Sequence, residues 1–162
     1  RVARKERPTA LNAFYKELKN AMVDLAKKIV MDGEGAKKFI EVTVRNANSV
    51  ARARKICFSI ANSLLVKTAI TGEDANWGRL VMAIGKTRIK FKTEKIKIYM
   101  QDFLLCENGQ GIETVDNAGL SRALKKKKVN IVVDLAEGDT EFTGWTSDLT
   151  EDYIKINADY RS

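Results

Sequence analysis

Residues 25–44 read LAKKIVMDGEGAKKFIEVTV, and the period of the apolar residues changes within them. Upstream and into this stretch, Leu11, Phe14, Leu18, Met22, Leu25, Ile29 and Val30 recur at helical spacing. They predict an amphipathic helix over roughly 9–31 with that stripe as its packing side. Thr9 is placed to cap it, just after Pro8, and Gly33 supplies the stop. Downstream, KFIEVTV (38–44) sets Ile40, Val42 and Val44 on one face, the alternation of a strand. A helix feeding a strand through a glycine turn is a building unit of layered α/β proteins.

The remaining sequence continues the alternation. Asn48 or Ser49 can cap a second helix through about Ala61, with Val50, Ala53, Cys57 and Ile60 inward. LVKTAIT (65–71), rich in β-branched residues, is a strand candidate. The loop GEDANWG follows, then a short helix holding Trp77, Leu80, Val81 and Ile84. KIKIYM and DFLLCEN, with Gln101 between them, read as two strands or one long bent one. A helix over about 114–125 ends in the lysines of KKKK, which suit its negative dipole end. VNIVVDLAEG and TEFTGWTSD look like a hairpin around Gly138 and Asp139. Thr150 can cap a short final helix. The expected architecture is α/β, with helices layered on a mixed sheet whose mixed directions come from the C-terminal hairpin. Residues 1–162 contain no repeat or linker and read as a single domain or part of one.

Composition narrows the chemistry. The 162 residues are 44% hydrophobic and 31% charged, ordinary values for a globular domain. No apolar run nears the roughly 20 residues of a membrane helix. The basic start RVARKERP leads into no signal-type stretch and lacks methionine, which suggests a piece of a longer chain. Cys57 and Cys106 have no metal or redox spacing and read as reduced core thiols of a cytoplasmic protein. The sequence contains no histidine, so Ser–His and Cys–His pairs and histidine-ligated zinc cannot be assembled from it. The net charge of +8 is confined to the first third: residues 1–55 carry 14 Lys/Arg against 6 Asp/Glu, the rest 15 against 15. A basic stripe can bind nucleic acid, but these lysines fall on a helix's polar side and suit solvent or an acidic partner chain.

Two stretches hold candidate functional groups. In MDGEGAKKF, Gly33 ends a helix and Glu34 is either simply exposed or aimed by the flanking glycines at a substrate ammonium. In GEDANWGR, Asn76 can cap the next helix and Arg79 can pair with Glu73 or Asp74. Gly78 in that helix's first turn suggests tight packing. GQG (109–111) is too short for a dinucleotide fingerprint, and the acids of DLAEGDTE do not match a calcium loop.

Three longer stretches carry more: LAKKIVMDGEGAKKFIEV, NSLLVKTAITGEDANWGRLVMAIG and SDLTEDYIKINADYRS. Together, in this order, they resemble the C-terminal part of the β chain of ornithine acetyltransferase, the glutamate N-acetyltransferase of arginine biosynthesis. The resemblance runs from about residue 11 to the end. It implies a precursor that cuts itself into α and β chains, whose new N-terminal threonine carries acetyl from N2-acetylornithine to glutamate. No stretch here resembles the cleavage site, so that threonine is expected upstream and this chain alone is expected to be inactive.

By motif, the family's substrate contacts fall on Glu34 of DGEG, Asn157 of KINADYRS and Ser162. Ile154 and Ile156 are expected to anchor the tail that delivers the last two. The resemblance implies no metal and no cofactor, with acetyl-CoA as a conceivable co-substrate. Its implied partners are the α chain, the upstream β segment and a second αβ copy in an α2β2 assembly, with neither nucleic acid nor membrane. Two alternatives stand beside it: a relative using another donor or acceptor in secondary metabolism, and a basic non-enzymatic binding module.

Overall fold

The computed structural model describes residues 8–160. The chain begins with α1 (Pro8–Met31), turns into β1 (Phe39–Ala47), and continues through α2 (Val50–Ala61), α3 (Leu64–Thr71) and α4 (Trp77–Gly85). Then come β2 (Lys97–Met100), β3 (Phe103–Glu107), the short β4 (Gln110–Gly111), α5 (Asn117–Leu124), β5 (Lys128–Asp134), β6 (Thr140–Ser147) and α6 (Glu151–Asp159). The six strands make one mixed sheet in the order β4-β3-β2-β5-β1-β6, in which only β1 and β5 run parallel. The expected α/β class and mixed sheet are found.

β1 organises the core. Ile40, Val42 and Val44 are fully buried, beside Val129, Ile131 and Val133 of β5. Ala53, Ile56, Cys57 and Ile60 of α2, with Leu80, Ala83 and Ile84 of α4, complete the same cluster. Burying each large side chain contributes roughly 1.5–3 kcal/mol, so this layer dominates the stability of the sheet. Val50, expected inward, is exposed because it sits in the first turn of α2, where Ser49 caps the helix.

Three expectations fail for tertiary reasons. LVKTAIT is helical: Ser63 accepts a hydrogen bond from the Val66 N–H, and Val66, Ala69 and Ile70 are buried at helical spacing. Packing outweighs the strand preference of β-branched residues. β5 and β6 are not a hairpin, because β1 lies between them. Their connection is pinned across the end of β1, with the Leu135 and Glu137 N–H groups donating to the Arg45 and Asn46 carbonyls. A Cβ on Gly138 would collide with the Ala47 carbonyl, so the crossing requires glycine. The antiparallel hairpins of the sheet are β2–β3, turning at Gln101, and the short β3–β4.

The third failure is α1. Its stripe Leu11, Phe14, Leu18, Met22, Leu25 and Ile29 is 43–74% exposed. Of the predicted stripe only Val30 is half-buried; it leans on the sheet with Val23 and Ala26 of a neighbouring face, and the Lys27 ammonium lies 5.0 Å from the Trp145 ring centre. The helix starts at Pro8, so Thr9 is inside its first turn rather than its cap, and α5 starts at Asn117 because Asp116 caps it. Among the described residues no helix is long and apolar enough to cross a membrane.

Both cysteines are free and buried. Burial pushes the Cys57 thiol up to about 11, and its Sγ donates to the Val42 carbonyl at 3.3 Å. The thiolate is the reactive form. Neither Cys57 nor Cys106 should therefore be alkylated in the native protein at pH 8, while both should react in denaturant. A mass shift from native labelling at Cys57 would contradict this packing.

Candidate functional site

The site is built where α1 hands over to β1. The Gly33 N–H donates to the Val30 carbonyl, and the Ala36 N–H to the Gly33 carbonyl at 3.0 Å, closing a turn with Glu34 and Gly35 at its centre. Gly35 has φ +67°, a conformation that favours glycine. A Cβ there would fall on the Tyr153 backbone nitrogen, with Asp152 C and Tyr153 Cα 2.9 Å away. The turn and the first turn of α6 are thus packed backbone to backbone.

Three residues before α6 lock the contact. Asp148, buried at 4% exposure, accepts the Lys37 and Lys38 N–H groups, each at 2.9 Å. Thr150, also buried, donates from its hydroxyl to the Gly35 carbonyl at 2.6 Å and accepts the Tyr153 N–H at 3.2 Å. Between them, the Leu149 carbonyl accepts from the Thr71 hydroxyl at 2.7 Å. On the surface, Lys37 and Asp152 pair at 2.7 Å. The Lys37 hydrogen bond holds the Asp152 carboxyl below its usual range, and Asp152 correspondingly raises Lys37. Such exposed pairs contribute little stability by themselves.

The result is a meeting of two residues 123 positions apart. The Asn157 carboxamide donates to Glu34 Oε2 at 3.4 Å and to the Tyr153 carbonyl at 2.9 Å, and both side chains remain exposed. Glu34 offers a carboxylate with free lone pairs, and Asn157 retains acceptor capacity, a combination suited to a cationic, hydrogen-bonding ligand. Ser162, the third expected contact, lies outside the described residues. Ile154 and Ile156 do not anchor the segment within this chain: they are 59% and 44% exposed, and α6 is held by Thr150 and its contact with the Gly35 turn.

The loop GEDANWGR adjoins this end of the sheet but supports it rather than extending the site. Lys38, 9% exposed, donates to Glu73 at 3.1 Å and to the Leu124 carbonyl at 2.7 Å. Arg79 does not pair with Glu73 or Asp74; it donates to the Leu65 carbonyl and the Thr68 hydroxyl, which α3 brings closer. Gly78 is not tightly packed, since a Cβ there would meet only the Asn76 cap at ordinary contact. Trp77 does need a glycine, at Gly111, whose Cβ would lie 2.9 Å from the indole.

Beside the turn opens a cleft of about 460 Å³, floored by Val30 and Phe39 and rimmed by lysines. Most of that positive charge is already paired. Lys27 and Lys128 reach Glu41 at 3.6 and 3.3 Å, Lys37 reaches Asp152, and Lys38 reaches Glu73. Burial pushes Glu41 up, but hydrogen bonds from Trp145 and Lys128 and the two lysine charges outweigh it and hold the carboxyl low. Among the described residues no three His, Cys, Asp or Glu side chains converge as a metal site would need.

Sequence reasoning found Glu34 and Asn157 through motif resemblance and missed the part played by Asp148. Its signal was present in SDLT: a short acid and a hydroxyl just ahead of a helix, both able to accept backbone N–H groups.

The ArgJ family matches residues 2–162 of this chain. The arginine biosynthesis bifunctional protein ArgJ of Nitrobacter winogradskyi is 46% identical over 152 residues, covering 94% of the chain and 36% of that protein. The protein of the same name from Caulobacter vibrioides is 45% identical over 149 residues, covering 92% and 37%. The crystal structure of arginine biosynthesis bifunctional protein argJ from Bacillus halodurans superposes with a TM-score of 0.89 at 40% identity, over 98% of this chain and 74% of that one. The chain thus spans little more than a third of the length of the curated relatives it matches. With a family match along nearly its whole length and the fold of a solved relative, the chain belongs to the ArgJ family.

Proposed function

We propose that this chain is the substrate-holding part of an acetyltransferase that moves acetyl from N2-acetylornithine to glutamate, releasing ornithine and N-acetylglutamate. The observation that carries the reading is the contact between Glu34 and Asn157, made by two segments that the resemblance had marked independently. Glu34 would receive a substrate ammonium, and Asn157 and Ser162 would hydrogen-bond its remaining polar groups. Their contribution is orientation, which can lower a barrier by several kcal/mol when reacting groups are held in line.

The nucleophile would be a threonine on a part of the protein outside this chain, activated by its own amine. Two features support a division of labour. The two thiols here are buried, and histidine is absent, so neither a Cys–His nor a Ser–His nucleophile pair can be assembled from the described residues. The exposed stripe of α1 is a face of the sort that packs against further protein, consistent with the α chain, the upstream β segment or a second αβ copy as partners. The exchange itself needs neither metal nor cofactor; acetyl-CoA would enter as a second donor. A cytoplasmic setting fits a biosynthetic enzyme with free thiols.

Intact mass of the complete protein, before and after incubation with N2-acetylornithine, tests this directly. A fragment beginning with threonine should gain one acetyl and lose it again on adding glutamate, with N-acetylglutamate appearing. If no fragment gains acetyl, the reading is wrong; if acetyl leaves only to an acceptor other than glutamate, the substrate assignment is wrong.

A further inference from the structure

We propose that Thr150 is a positioning residue of the substrate site, setting the place of Asn157 relative to Glu34; the inference rests on the substrate-holding reading above. One hydroxyl oxygen serves both sides. It donates to the Gly35 carbonyl, next to Glu34 in the chain, and accepts the Tyr153 N–H in the first turn of the helix that bears Asn157. Asp148, two residues earlier, holds the far side of the same turn through the Lys37 and Lys38 N–H groups. Segment 148–150 therefore ties both halves of the site together.

The geometry makes the site sensitive to this oxygen. Asn157 stands seven residues beyond Thr150, about 10 Å along the helix axis at ~1.5 Å per residue. A tilt of about 10° at the first turn would move Asn157 by roughly 2 Å. The Asn157–Glu34 hydrogen bond, at 3.4 Å, is already near the limit and would not survive it. Removing the hydroxyl also leaves the Gly35 carbonyl and the Tyr153 N–H without this partner, which favours such a shift. Misplacement by about 1 Å can cost on the order of 10²-fold in rate.

The test compares Thr150→Val and Thr150→Ser in the complete protein with two acetyl donors. N2-acetylornithine needs the Glu34–Asn157 pair, whereas p-nitrophenyl acetate needs only the nucleophile. Thr150→Val should lose about 10- to 100-fold in kcat/KM with acetylornithine and keep the ester reaction within about threefold; Thr150→Ser should stay near wild type with both. An equal loss with both donors marks a purely structural residue and overturns the proposal, as does an unchanged acetylornithine reaction. If Thr150→Val does not fold, Thr150→Cys takes its place. A wild-type enzyme inert to acetylornithine overturns the functional reading instead. Crystal structures then decide the positioning role alone: an intact Glu34–Asn157 contact in the variant overturns it, and a parted one upholds it.

Discussion

Replacing Gly35 with alanine should destabilise the protein by about 2–4 kcal/mol, while the same change at Gly33 should cost under about 1 kcal/mol. The two glycines flank Glu34 symmetrically in sequence but not in space. Gly35 has φ +67°, and its missing Cβ is what lets the turn touch the Tyr153 nitrogen. An alanine would meet both a disfavoured conformation and backbone atoms that cannot turn aside. Gly33 is not in the left-handed region, and a Cβ there would approach the Val30 carbonyl at 3.3 Å, a gap that a small shift relieves. Thermal unfolding of the two variants of the complete protein checks the asymmetry. Equal losses would mean that the turn is not packed on α6 as described.

The second large effect is on activity. On the proposed substrate-holding role, Glu34→Gln in the complete protein should lower kcat/KM for N2-acetylornithine by about 10²–10³-fold, because a charged hydrogen bond to the substrate ammonium would be replaced by a neutral one. Stability should hardly change, since Glu34 is exposed and glutamine can still accept from Asn157. The specificity of the effect is checked with N-acetylnorvaline, which lacks the side-chain ammonium. There, wild type and variant should react alike. A variant within about threefold of wild type on acetylornithine would remove Glu34 from the substrate-binding role.

How much of this was readable in advance differs by element. β1 was legible because Ile40, Val42 and Val44 alternate and are all buried. α2, α4 and α6 were legible because Ser49, Asn76 and Thr150 act as caps, a local interaction between a side chain and an N–H three residues on. α3 was not, because Val66, Ala69 and Ile70 satisfy a helical spacing that the β-branched composition obscured. The amphipathic pattern of α1 was right as helix and wrong as burial. A stripe of Leu11, Phe14, Leu18, Met22, Leu25 and Ile29 says that one side avoids water but not which surface covers it.

By itself, then, the sequence determined the α/β class, the helices capped by Ser49, Asn76 and Thr150, the strand at 38–44 and the glycine-flanked acid, since each depends on residues a few positions apart. The absence of histidine meant that Ser–His and Cys–His pairs and histidine-ligated zinc could not be built from these residues alone. Only the tertiary structure decided that β1 enters between β5 and β6, and that Thr150 bridges the Gly35 turn to α6. It also decided that Glu34 meets Asn157. The physical reason is the same in each case. Pairing across 89 to 123 residues depends on where the core places each backbone, and on single atoms such as the missing Cβ of Gly35 that let two backbones touch.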